Sequence, residues 1–224
     1  MAIKYINESA VDGAKQLAER ILSYLNEGKR VLWLVCGGSN IPISVQTLNM
    51  MKELLDGDLS LLKNLTVTLT DERYGSINHP DANWRHLRDQ GFDFEAVTAV
   101  PVLVGVSLDE TTKSYGVNLR DVWNNNDVVI GQFGIGADGH IAGVLPRTIG
   151  VGSPGTVVTY DAGKFKRLTM TLKTITNLDA AYVFAFGESK REAVANLKED
   201  LTTEAQPAQV LKGVKEVVVF TDVG

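Results

Sequence analysis

Residues 30–40 read RVLWLVCGGSN. A strand with one wet face alternates apolar and polar side chains, whereas Arg30 to Cys36 is almost continuously apolar. Such a run fits a strand covered on both faces, the situation of a parallel sheet flanked by helices. Gly37, Gly38 and Ser39 stop it, and Pro42 suits the first turn of a helix reaching about Leu55. Upstream, Val11, Ala14, Leu17, Ala18, Ile21, Leu22 and Leu25 recur at three- and four-residue spacing between Glu8 and Asn26, one stripe of a helix that Gly28 ends.

The same alternation continues along the chain. LTVTLT (65–70) precedes a polar loop and a helix near Asp81 to Asp89, and TAVPVLV (98–104) precedes a helix from about Asp109 to Trp123. DVVIGQF (127–133) leads into a glycine-rich turn; RLTMTL (167–172), AAYVFAFG (180–187) with a helix in SKREAVANLKED (189–200), and EVVVFTD (216–222) complete the pattern. Strands alternating with helices predict an α/β fold, a mainly parallel sheet with helices on both faces. No linker, repeat or low-complexity stretch divides it, so residues 1–224 are read as one domain.

Bulk properties narrow the function. The 224 residues are 44% hydrophobic and 22% charged, with a formal net charge of −5, which argues against a nucleic-acid or anionic-membrane surface and leaves small acidic ligands open. Cys36 is the single cysteine, so no intrachain disulfide forms. With no signal-peptide core and no apolar run of membrane length, the expected address is the cytoplasm.

Ligands of open α/β sheets bind at the carboxyl ends of the strands. The segments directly after the strands are GGSN, DERYGSINHPDAN, GIGADGH and GESK, the most chemically loaded stretches of the sequence. Gly37, Gly38 and Ser39 before a helix can present N–H groups and a hydroxyl to a phosphate, although a tight turn needing glycine reads the same way. Asp71 stands first beyond an apolar run, and Arg73 can hold a phosphate or carboxylate by two hydrogen bonds, where a surface turn is the plainer alternative. Gly134-x-Gly136-x-x-Gly139 formally matches a dinucleotide fingerprint but comes after roughly the fourth strand, not the first, and no long helix receives it. Within it, Asp138-Gly139-His140 suits a general base whose tautomer is fixed by the carboxylate or a backbone carbonyl; a satisfied core histidine is the alternative. His79 lies in an NHPD turn and His86 on a helix face. Arg167 and Lys190 are surface charges or phosphate partners, and no metal-ligand spacing occurs.

Taken in order, GGS (37–39), DER with HPDAN (71–83), GIGADGHIAGVLP (134–146), KRLTMTL (166–172), GESKREAV (187–194) and QPAQVL (206–211) resemble the 6-phosphogluconolactonases, part of a group with the glucosamine-6-phosphate isomerases/deaminases. The likeness runs through nearly the whole chain. It implies a doubly wound, NagB/RpiA/CoA-transferase-like α/β fold, hydrolysis of 6-phospho-D-glucono-1,5-lactone to 6-phosphogluconate in the oxidative pentose phosphate pathway, and no cofactor. It makes His140, with Asp138, Asp71 and Arg73, the catalytic set. Gly37, Gly38, Ser39, Asn40, Arg167 and Lys190 are then the phosphate-binding positions, and Gly136 and Gly139 contribute backbone N–H groups of the catalytic turn.

Three segments depart from the family pattern. Asn40 replaces threonine, Tyr74-Gly75 replaces a valine-proline-like pair, and Arg147 replaces a glycine after Leu145-Pro146. The rival readings are an amino-sugar-phosphate isomerase/deaminase and a non-catalytic sugar-phosphate sensor. The deaminases of the group use a carboxylate shortly after the DGH histidine and end their DER-like motif in tyrosine. Here no Asp or Glu occurs from Ile141 to Tyr160 and the third residue is Arg73. A sensor belongs with a DNA-binding module, for which the chain has no spare basic segment.

Overall fold

The computed structural model describes residues 3–224. Its elements are β1 (Lys4–Ile6), α1 (Ala10–Asn26), β2 (Val31–Val35), α2 (Ile41–Leu54), β3 (Leu65–Leu69), β4 (Asp71–Arg73), α3 (Asn83–Asp89), β5 (Thr98–Ala99) and α4 (Leu108–Asn124), then β6 (Val128–Phe133), β7 (Val157–Asp161), β8 (Lys166–Met170), α5 (Leu172–Ile175), β9 (Ala180–Ala185), α6 (Arg191–Lys198) and β10 (Val217–Thr221). Seven strands form a parallel sheet in the order β1-β10-β9-β6-β2-β3-β5, and β4-β8-β7 form a separate antiparallel sheet.

Local chemistry sets the ends of these elements. The Ser9 hydroxyl accepts from the Asp12 amide at the start of α1, and Ser107 and Glu110 form a reciprocal capping box on α4. Every residue of β2, β6, β9 and β10 is buried, which accounts for the unbroken apolar runs. Connections α1, α2 and α3 advance the chain toward β5, and α4, α5 and α6 return it toward β10. Right-handed crossovers place connections of opposite direction on opposite faces. In agreement, α1 packs on α2 and α2 on α3. The direction reverses between neighbouring β2 and β6, so their carboxyl ends flank the switch point where such folds open a crevice.

The antiparallel sheet is the main departure from the sequence reading. Asp71–Arg73 is strand and not turn, and RLTMTL joins it as β8 instead of entering the parallel sheet. The transfer occurs at Thr70: its N–H donates to the Val35 carbonyl (2.8 Å) in the first sheet, while its carbonyl accepts from Met170 (3.0 Å) in the second. Tyr115 of α4 fastens this junction, its hydroxyl lying 2.7 Å from the Leu69 carbonyl and 3.1 Å from that of Thr70. TAVPVLV yields only the two-residue β5; Val100 still donates to Val67, and Pro101, lacking an N–H, ends the ladder. β1 is too short to show a pattern and β7 has only one buried residue, so neither stands out in the sequence. No helix of the described residues is long and apolar enough to cross a membrane.

Gly13 lies in α1 beneath the stacked Phe184 and Phe220 rings, whose centroids are 5.2 Å apart. A Cβ there would meet Phe184 at 2.7 Å and Phe220 at 2.8 Å. Alanine is favoured over glycine inside helices by about 1 kcal/mol, but overpacking a rigid aromatic pair costs about 1–3 kcal/mol. Gly13→Ala is therefore expected to destabilise the protein, read as a lower urea midpoint at unchanged m-value.

Candidate active site

A cleft of about 280 Å³ opens at the switch point, between the ends of β2 and β6 and the antiparallel sheet. Of the residues singled out in the sequence, Gly37, Gly38, Ser39, Asn40, Asp71, Arg73, Gly136, His140, Arg167 and Lys190 line it. Asp138 reaches it through His140, and Gly139 does not line it.

After β2 the chain turns through Gly38, whose φ of +68° favours glycine, into a 3-10 turn (Gly38–Asn40) and then α2. The N–H groups of Gly38 and Ser39 take part in no hydrogen bond among the described residues, and both residues are exposed. With the positive end of a 14-residue helix behind them, they form an anion cradle. Asn40 is buried at the cleft; its Nδ2 donates to the Phe184 carbonyl (3.3 Å), which ties it to β9, and its Oδ1 has no partner among the described residues.

After β6 the turn brings Asp138 and His140 together. Asp138 Oδ1 lies 2.6 Å from His140 Nδ1 and accepts the His140 backbone N–H at 3.2 Å. This places the ring proton on Nδ1 and leaves the Nε2 lone pair free to act as a base. Burial alone would raise the Asp138 pKa; the charge, backbone N–H and ring of His140 outweigh it and leave it lowered. Gly136 is required here by contact, because a Cβ would collide with His140 Nδ1 and Asp138 Oδ1.

The expectation that Gly136 and Gly139 supply free N–H groups does not hold. Gly136 donates to the His140 carbonyl and Gly139 to the Gly136 carbonyl, each at 2.9 Å, so both amides hold the turn itself. Gly139, at φ +79°, packs on Gln206 behind it. Beyond His140, Ala142 and Gly143 adopt φ of +49° and +71°. The segment is pinned from the antiparallel sheet: the Tyr160 hydroxyl donates to the Gly143 carbonyl (2.6 Å) and accepts from the Leu145 amide (3.0 Å), and Thr169 donates to the Ala142 carbonyl. Arg147 lies outside the cleft, with φ +56° and its amide on the Glu204 carbonyl. The backbone there keeps the conformation that glycine adopts most freely.

The antiparallel sheet brings cations to the opposite wall. Arg73 and Arg167 are direct partners across β4 and β8, an arrangement unfavourable for like charges unless anions intervene. Asp71, buried, supplies part of the balance at 3.7 Å from Arg167 Nη1. Arg73 donates one N–H to the Asp81 carbonyl (2.8 Å) and lies over Phe165, and the Nε groups of both arginines are buried without a partner among the described residues. Adding Lys190, the cleft is cationic in an acidic chain. Where Tyr74-Gly75 departs from the pattern, Tyr74 donates its hydroxyl to the Val106 carbonyl, and the His79 ring contacts Gly75 and the Arg73 carbonyl, which gives that histidine a supporting place.

The sequence reading missed several lining residues: Cys36, Asn83, Gly134, Ile135, Ala142 and Gly143. Burial and the nearby Asp71 push the Cys36 thiol well up, so it stays protonated and is no nucleophile. Asn83 stands in the DAN triplet but carries no signal of its own. Its Nδ2 donates to the Asp71 carbonyl (2.9 Å), and its carboxamide occupies the place a Cβ of Gly37 would take.

Comparison with known proteins bears on the family and the fold. A glucosamine-6-phosphate deaminase of Lactobacillus johnsonii is 26% identical over 239 residues, covering 97% of this chain and 93% of its own. Among solved structures, a 6-phosphogluconolactonase from Shewanella baltica superposes with TM-score 0.80 at 18% identity, covering 99% of this chain and 97% of its own. A monomeric glucosamine-6-phosphate deaminase gives TM-score 0.77 at 23% identity, covering 99% and 97%. The family described as glucosamine-6-phosphate isomerases/6-phosphogluconolactonase matches residues 6–220, and the chain belongs to that family.

Proposed function

We propose that the protein is a 6-phosphogluconolactonase, hydrolysing 6-phospho-D-glucono-1,5-lactone. The observation that carries this reading is the acid–base inventory of the cleft. Sugar isomerisation with deamination moves protons at several ring and chain atoms, and the deaminases of the group use a further carboxylate after the DGH histidine for ring opening. In this chain no residue from Ile141 to Tyr160 supplies one, and among the described residues the carboxylates at the cleft are Asp71, beside Arg167, and Asp138, on His140. Lactone hydrolysis needs one base, an oxyanion partner and an anchor for the phosphate, all of which the cleft can furnish.

In this reading the phosphate rests on the Gly38 and Ser39 amides with Lys190, fixing the ring and removing much of the entropic barrier. His140 Nε2 takes a proton from water as the oxygen bonds to the lactone carbonyl carbon. The resulting oxyanion faces the Arg73 and Arg167 wall, since the turn amides are occupied. Collapse breaks the bond to the ring oxygen, which receives the proton from the imidazolium, and the free acid gives its own proton to solvent and leaves as its carboxylate. Asp138 holds the tautomer throughout and stabilises the transient imidazolium.

The sequence likeness to deaminases makes the competing assay informative. Purified protein is expected to hydrolyse freshly prepared 6-phosphogluconolactone well above its spontaneous rate, with His140→Ala lowering kcat by at least about 10²-fold, and to release no ammonia from glucosamine 6-phosphate. Ammonia release without lactone hydrolysis would replace this reading with the deaminase. Separately, imidazole nitrogen NMR is expected to find neutral His140 with its proton on Nδ1. Gly136→Ala, whose methyl would fall on the Asp138–His140 contact, is expected to lose that tautomer preference while keeping the folded backbone spectrum.

A further inference from the structure

Glu72, between the two charged residues already described, is fully buried and has no cationic partner among the described residues. A buried carboxylate is costly unless its oxygens are satisfied, and here backbone groups do so. Oε1 accepts the N–H of Arg73 and of Asn83, each at 2.7 Å, and Oε2 accepts that of Trp84 at 3.0 Å. Two of these amides belong to the first residues of α3, whose preceding residue, Ala82, has no polar side chain to cap them; the third belongs to β4. One carboxylate therefore bolts the start of a helix to a strand of the antiparallel sheet.

Both parts joined by Glu72 carry cleft residues. Arg73 lines the cleft from β4, and Asn83 from α3 ties the Asp71 carbonyl and presses on Gly37 in the anion cradle. We propose that Glu72 is a positioning residue: it touches no substrate, and by fixing α3 on β4 it sets where the Arg73 guanidinium and the Asn83 carboxamide stand relative to the cradle. A glutamine of the same shape retains one acceptor but points an NH₂ group at backbone donors, so it loosens the joint without opening a cavity. The kinetic consequence rests on the lactonase reading; the structural one does not.

The test uses Glu72→Gln in the full chain. Amide hydrogen exchange at Arg73, Asn83 and Trp84 is expected to quicken at least tenfold while β2 and β6 keep their rates. Lactonase kcat is expected to fall at least tenfold with KM within threefold, because Glu72 makes no hydrogen bond to Gly38, Ser39 or Lys190. Unchanged exchange, or equal acceleration throughout the chain, overturns the proposal, as do kinetic constants within twofold of the wild type. If the wild type proves to have no lactonase activity, that reading fails alone and the exchange pattern decides this one. If the variant does not fold, the same three amides in the wild type decide it: protection comparable to β3 supports the joint, and exchange as fast as exposed loops removes it.

Discussion

A parallel sheet presents the carboxyl ends of all its strands on one edge, and where neighbouring connections depart in opposite directions no crossover fills the gap between them. In this chain that gap lies between β2 and β6. The anion cradle comes after one of these strands and the Asp138–His140 pair after the other, so the distance between the cradle and the imidazole is set by the spacing of two adjacent, fully buried strands. Flexible loops would hold such a distance poorly; a packed sheet holds it as part of the core.

The antiparallel sheet gives this crevice its other wall and its charge. By leaving the parallel sheet at Thr70, the chain turns Asp71 and Arg73 across the opening and pairs them with β8, which brings Arg167. Tyr160 and Thr169 reach from the same sheet to the carbonyls beyond His140 and stabilise a backbone with two successive positive φ values. His140 and the cations are thus fixed to one another through main-chain contacts as well as through the core. Glycine enters at contact points: Gly136 leaves room for the imidazole, Gly37 for Asn83 and Gly143 for Asp71.

Much of this is legible in the sequence. Long buried runs such as Val31–Val35 announce central strands, and the loops at their carboxyl ends mark the cleft, because topology places those stretches on one edge. The features that stay hidden do so for physical causes. The antiparallel sheet is built of strands of three to five residues, too short or too little buried to impose a period, so Asp71–Arg73 reads as a turn. Hydrogen-bond occupancy cannot be read from spacing, and for that reason Gly136 and Gly139 resemble free donors in the sequence although their amides close the turn. Asn40 and Asn83 show the limit from two sides. Asn40 has the sequence position of a ligand and lines the cleft, yet its Nδ2 is engaged by β9, whereas Asn83 has the position of a helix start and also lines the cleft.

Within a family that contains both lactonases and deaminases, overall shape does not choose between the two chemistries; the placement of charge around a bound ligand does. The most direct measurement is a crystal structure with the product, 6-phosphogluconate. The phosphate is expected on the Gly38 and Ser39 amides beside Lys190, and the carboxylate between His140 Nε2 and the Arg73–Arg167 wall. A reversed ligand, with the phosphate against His140 and the carboxylate in the Gly-Gly-Ser loop, would contradict this placement.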